Sequence, residues 1–144
     1  MSKPVKKKPN FNKRAKEYMD SLDYMTEIVE HYNAFSGRKN DFCGFVDAIC
    51  LNPDADKNKI LGLQITGKSN ISSRYNKITK GIIKDAVTHE DEYNPVPAKA
   101  KTWLRSGAGI WIIGFDSASK TGKLREVYLD DDGGFAFQDS DIAD

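Results

Sequence analysis

Apolar and polar positions fall into blocks along this chain, and the period changes from block to block. From Asn10 onward, Phe11, Ala15, Tyr18, Met19 and Leu22 recur on one helical face, with Asn10 placed to cap the helix. Residues 24–32 (YMTEIVEHY) read as a strand and 33–41 (NAFSGRKND) as a polar loop. Two apolar runs follow, FCGFVDAICL (42–51) and KILGLQIT (59–66), each of strand length and composition. The segment between them, NPDADKN, is polar and reads as a turn. A second helix is expected from about Ser72 to Lys84, capped by Ser72 or Ser73, with Ile71, Tyr75, Ile78 and Ile82 as its apolar stripe. Residues 85–96 read as an acidic loop, and Pro97 suits the first position of a third helix that ends at Gly107. AGIWIIGF (108–115) reads as a buried strand, and a turn near Lys120–Gly122 leads to a last strand around Leu124–Leu129.

The order is therefore helix, three strands, two helices, two strands. The early strands suit an antiparallel meander, and the helical crossover brings the fourth strand in parallel to a neighbour. The expected fold class is α/β, a mixed sheet with helices packed on it.

Composition bounds the function. A chain of 144 residues, 39% hydrophobic and 30% charged, fits one globular domain. No stretch approaches the ~20 apolar residues of a membrane span, and no apolar run follows the basic N-terminus as a signal peptide requires. Cys43 and Cys50 are too few for a disulfide scaffold, so a reducing, cytoplasmic setting is expected. The net charge of +1 hides an asymmetry: residues 1–16 hold seven basic residues and no acid, and residues 126–144 hold seven acids and no base. This divides the chain into a basic flexible arm (1–9), a single domain (10–129) and an acidic tail (130–144) that is expected to fray. The basic end suits a nucleic-acid partner.

Two polar residues interrupt the apolar strands, Asp47 in GFVDAI and Gln64 in LGLQIT. A carboxylate in such a run must be paired, hydrogen-bonded or metal-bound, because burying it alone costs several kcal/mol. If the runs form a hairpin with Asp47 opposite Gln64, the turn centre falls in the middle of the polar loop 52–58. Strand alternation adds Thr66 to the Gln64 face. Two oxygen donors at one spot suit Mg²⁺, which orients water and stabilises charge on a phosphate. The plain alternative is that Asp47 and Gln64 only hydrogen-bond each other. The next segment, GKSNISSRYNKITKGIIK (67–84), holds Lys68, Arg74, Lys77, Lys80 and Lys84 without an acid, and Arg38 and Lys39 precede the Asp47 run. Such cations suit a phosphodiester backbone.

The strings RKNDFCGFVDAI, LGLQITGKSNISSRYNKI and AKTWLRSGAGIWIIGF together resemble the PD-(D/E)XK nuclease superfamily, over roughly residues 10–115. More narrowly, they resemble its small Holliday-junction-resolvase-like and VRR-NUC-like prokaryotic or phage members. The resemblance implies a restriction-endonuclease-like core, αβββαβ, flanked by helices. It implies a metal-dependent DNA endonuclease that uses Mg²⁺, with Mn²⁺ able to substitute, in a bacterial or phage-infected cell. Asp47, in Gly44–Asp47, matches the metal-binding Asp, and Gln64 matches the acid-or-Gln position of the next strand. The Ile65 carbonyl is a further ligand position, and Glu17 is the candidate for a first-helix Glu. Two departures stand out: Thr66 occupies the position of the expected Lys, and Val46 that of the Pro before the Asp. Lys77 or Lys68 would then stand in for the missing cation, while Arg38, Lys39, Arg74, Lys80 and Lys84 would hold DNA phosphates.

A nuclease fold that binds DNA but has lost catalysis is the alternative, and an interaction protein with a DNA-mimicking acidic tail is a third reading. Family members often dimerise, so a homodimer is an expected partner; the form of DNA, or RNA, is left open. No zinc spacing joins Cys43, Cys50, His31 and His89, and no nucleophile elbow or Gly-rich phosphate loop is present. Trp103 and Trp111 read as core.

Overall fold

The structure, a computed structural model, describes residues 10–33, 38–81 and 96–142. Helix α1 (Phe11–Ser21) begins as its sequence dictates: the Asn10 side chain accepts the Lys13 amide at 3.0 Å, satisfying a donor that the first turn leaves without a partner. Strand β1 (Met25–Ile28) follows, then a separate antiparallel hairpin of β2 (His31–Asn33) and β3 (Arg38–Asn40). Next come β4 (Ala48–Leu51), β5 (Ile60–Gly67), one 3-10 turn (Lys68–Asn70), α2 (Ile71–Lys80) and α3 (Val96–Arg105). Strands β6 (Gly109–Phe115), β7 (Gly122–Leu129) and β8 (Phe135–Ile142) complete the order.

Six strands form one mixed sheet in the order β1-β4-β5-β6-β7-β8. β1, β4 and β5 run antiparallel as a meander, and the chain then crosses through α2 and α3 to lay β6 parallel to β5. Both features agree with the sequence reading, and the protein is α/β with helices on the sheet. On one face α1 packs Ala15 and Met19 onto Leu61, Leu63, Ile113 and Phe115. On the other, α2 and α3 place Ile71, Ile78 and Ala100 over Ile110, Ile112 and Val127. The β4–β5 register pairs Ala48 with Leu63 and Leu51 with Ile60, so its turn centre is the one expected.

Five expectations are corrected. The run 24–32 is not one strand but β1 and β2, and the loop expected at 33–41 contains β3. Neither strand of that hairpin has an apolar alternation that would reveal it. The run 42–51 is a strand only from Ala48, because Cys43 and Gly44, at φ 57° and 82°, reverse the chain so that Phe42 bridges Val46. Its apolarity reports burial, since Phe45 and Val46 are fully buried in the turn. Helix α2 starts at Ile71, with Asn70 rather than Ser72 or Ser73 at the cap position, and ends where Gly81 turns left-handed at φ 62°. The acidic tail does not fray after Asp130: Phe135–Ile142 pairs with β7 along its whole length, and Arg125 of β7 holds Asp139 of β8 through two bonds of 2.8 and 2.9 Å. As an exposed edge strand, β8 carries acids where a covered strand would carry apolar residues.

The arm 1–9, Ile82, Lys84, the loop 85–95 and His89 lie outside the described residues. No helix among the described residues is long and apolar enough to cross a membrane.

Candidate functional site

Three short pairings bring four polar side chains into line. The β4–β5 ladder, continued one pair beyond Ala48–Leu63, sets Asp47 against Gln64. The tight turn that pairs Phe42 with Val46 sets Asp41 against Asp47. One position beyond the His31–Asn40 pair of the β2–β3 hairpin stand Glu30 and Asp41. One carboxylate oxygen each from Glu30, Asp41 and Asp47 lies within 4.8 Å of the others.

Burial makes this cluster costly. Asp47 and Gln64 are each only 2% exposed. The Gln64 Nε2 donates to Asp47 Oδ2 at 2.6 Å, and the Ile65 amide donates to the same oxygen at 2.7 Å. Burial is the main force on the Asp47 carboxyl; the Asp41 carboxyl adds to it and the Ile65 amide opposes it, with the net result that Asp47 is pushed up to about 9. The Oε1 of Gln64 is buried with no hydrogen-bond partner among the described residues. A buried carbonyl oxygen without a donor costs ~1–3 kcal/mol, which a cation or water at that oxygen would recover.

The cluster lies in a cavity of about 550 Å³ lined by Asp41, Asp47, Gln64, Ile65, Glu30, Arg74 and Lys77, with Asn10, Phe11 and Asn12 of the α1 start closing one side. Lys77 and Arg74 reach it because they stand three residues apart on α2, along one edge of its buried Ile71–Ile78 face. The Lys77 Nζ stands 3.9 Å from Asp41 Oδ2. The donor set consists of hard oxygens, three carboxylates and one amide carbonyl, and fits Mg²⁺ or Mn²⁺ rather than zinc.

The sequence-derived residues are thus divided by the fold. Asp47, Gln64, Ile65, Arg74 and Lys77 meet in this cavity. Glu17 is exposed on α1 and is not one of its lining residues. Thr66 is buried on β5 and does not line the cavity, and Lys68 lines a second cavity on the far side of Phe11. Lys80 is exposed at the end of α2; Arg38 and Lys39 sit on β3; Lys84 lies outside the described residues. Trp103 and Trp111 pack against the two cores as expected. Sequence reasoning missed Glu30 and Asp41. The available signal was the pair Cys43–Gly44, whose glycine marks a reversal that folds Asp41 back on Asp47.

Compared with protein-family models, with curated proteins and with solved structures, the chain has no match.

Proposed function

We propose that this protein is a Mg²⁺-dependent DNA endonuclease that hydrolyses phosphodiester bonds with an activated water. The observation that carries this reading is the meeting of Glu30, Asp41 and Asp47 in one cavity beside Lys77. Three carboxylates so close repel one another unless a cation or protons intervene. A mixed sheet in which α1 precedes the antiparallel β1-β4-β5 and a helical crossover leads to the parallel β6 is compatible with this reading.

In this reading Asp47, Asp41 and Glu30 hold the ion, with Gln64 Oε1 as a further donor. When bound, Mg²⁺ lowers the pKa of water and stabilises charge on a phosphate. Gln64 Nε2 and the Ile65 amide orient the Asp47 carboxylate toward the cluster. Lys77 supplies the fixed positive charge that Thr66 does not, and Arg74 binds the phosphate as it enters. A cation placed where charge develops stabilises a transition state more than the ground state.

The test is a cleavage assay on labelled four-way junction, flap, duplex and single-stranded DNA, in Mg²⁺, Mn²⁺ and EDTA. Cutting is expected in either metal and none in EDTA. Asp47→Ala is expected to lose about 10³-fold in rate, or about 4 kcal/mol, which is within what a metal ion contributes. DNA that is bound but never cut, with Asp47→Ala binding it equally well, would replace the enzyme with a nuclease-fold binding module.

A further inference from the structure

A second cavity, about 780 Å³, opens at the carboxyl ends of the parallel strands β5 and β6 and includes Gly67 and Phe115 in its lining. There β5 leaves toward α2, while β6 turns back into β7, and the divergence opens a crevice of the kind in which α/β sheets receive ligands. Its charged lining is mainly cationic. Lys68, Lys123 and Arg125 line it. The one acid in its lining, Asp116, turns its Oδ1 to its own loop and accepts the Ala118 amide at 2.8 Å.

The cations are built in to different degrees. Arg125 is only 9% exposed: Asp139 holds two of its nitrogens, and its guanidinium carbon lies 3.8 Å from the Phe137 ring centroid. Lys68 is exposed and has no ion-pair partner among the described residues. The backbone under it is set by Gly114 of β6, where a Cβ would stand 3.0 Å from the Lys68 Cα and 2.7 Å from Ile71. Only a glycine lets the 3-10 turn sit this close to the sheet.

Phe11 lines both cavities, so they adjoin there: Glu30, Asp41 and Asp47, with Arg74 and Lys77, lie in one, and Lys68, Lys123 and Arg125 in the other. With a cation on the carboxylates, a phosphodiester strand, which carries anions at regular intervals, can occupy both cavities at once; a lone phosphate can occupy only one. We propose that a phosphodiester strand crosses Phe11, with its scissile phosphate in the carboxylate cavity and a flanking phosphate held by Lys68, Lys123 and Arg125. The scissile end of this path rests on the hydrolase reading above; the flanking end does not.

The test measures binding without hydrolysis. A fluorescein-labelled 12-nucleotide single-stranded DNA is titrated in EDTA, over a series of salt concentrations, against the wild-type protein. The same titration is made with Lys68→Ala/Lys123→Ala and with Lys57→Ala/Lys59→Ala. The second pair removes equal charge at the opposite end of β5, roughly 25 Å away. The first variant is expected to bind at least tenfold more weakly and to lose about one unit of slope in log K against log salt. The control is expected to stay within twofold of the wild type. Equal loss in both variants, or none in the first, would overturn the path. So would thymidine monophosphate binding as tightly as the oligonucleotide, since the cavity would then hold a lone phosphate. A protein that grips the strand through these lysines and never cuts it would overturn the hydrolase reading and leave the flanking site standing.

Discussion

Strand β5 presents two unlike surfaces from one backbone. Leu61, Leu63 and Ile65 face α1 and are packed among Ala15, Met19, Ile113 and Phe115. Gly62, Gln64 and Thr66 alternate with them and face the α2–α3 layer. On the first face the packing is apolar except at Trp111, whose buried Nε1 has no hydrogen-bond partner among the described residues. On the second, Gly62 lies beneath Val46 and Trp103, Gln64 leaves a buried carbonyl oxygen without a partner, and Asp47 meets two further acids. The first face stabilises the fold. The second gives up stability to gather acidic side chains around one buried carboxyl.

The largest effect that would test this contrast is on the apolar face. Leu63 is fully buried, so Leu63→Ala removes transfer free energy and leaves a cavity. The expected cost is about 3 kcal/mol, read as a fall in melting temperature of about 10 °C. The fractional response of that temperature to Mg²⁺ should be unchanged. A variant as stable as the wild type would mean that the α1 face is not where stability resides.

A smaller effect, with a definite sign, is expected on the polar face. The Asp47 carboxyl titrates near 4 in an unfolded chain and about 9 in the fold. Between those values the native state keeps a proton that the unfolded chain releases, so stability falls as pH rises, by at most ~1.4 kcal/mol per pH unit. Burial, Asp41 and Glu30 oppose its ionisation, and the Ile65 amide partly offsets them. Asp47→Asn cannot ionise and should lose that slope. Chemical denaturation at pH 5 and pH 8 should show the wild type losing about 2 kcal/mol more than the variant. Adding Mg²⁺ at pH 8 should restore the wild type and leave Asp47→Asn nearly unmoved. Parallel pH profiles for the two proteins would show that Asp47 is not the group under stress.

What the sequence made legible divides along the same line. The Asp47–Gln64 register could be read because both runs are apolar and their connecting turn is polar, so composition alone fixes the hairpin centre. The parallel crossover to β6 could be read because helices separate two strongly apolar strands. Glu30 and Asp41 could not be read this way. They reach Asp47 through the left-handed pair Cys43–Gly44 and through a hairpin without hydrophobic alternation. The resemblance points to Glu17 as a first-helix Glu, yet it projects from the exposed side of α1, while Ala15 and Met19 take the buried one. The β8 strand was hidden by its own exposure, since Gln138, Asp139, Ser140 and Asp141 carry no sign of burial. Periodicity reports what the core demands of a residue, and the acids of this site answer to one another instead.

The smallest expected change in stability is also the sharpest separation of the two faces. Gln64→Met keeps length and volume while removing both polar atoms of the amide. It loses the 2.6 Å bond to Asp47, worth about 1 kcal/mol, and it also removes the partnerless Oε1, whose burial costs a similar amount. These terms oppose each other, and the melting temperature should stay within about 3 °C of the wild type, although the residue is as buried as Leu63 is. Function should not be spared. Without the amide, Asp47 loses one of the bonds that orient it and the cluster loses its neutral oxygen, so the stabilisation by Mg²⁺ should shrink and cleavage should fall at least tenfold. If Gln64→Met instead unfolds the protein as readily as Leu63→Ala does, the two faces of β5 are one core, and the polar residues are there to hold the fold together.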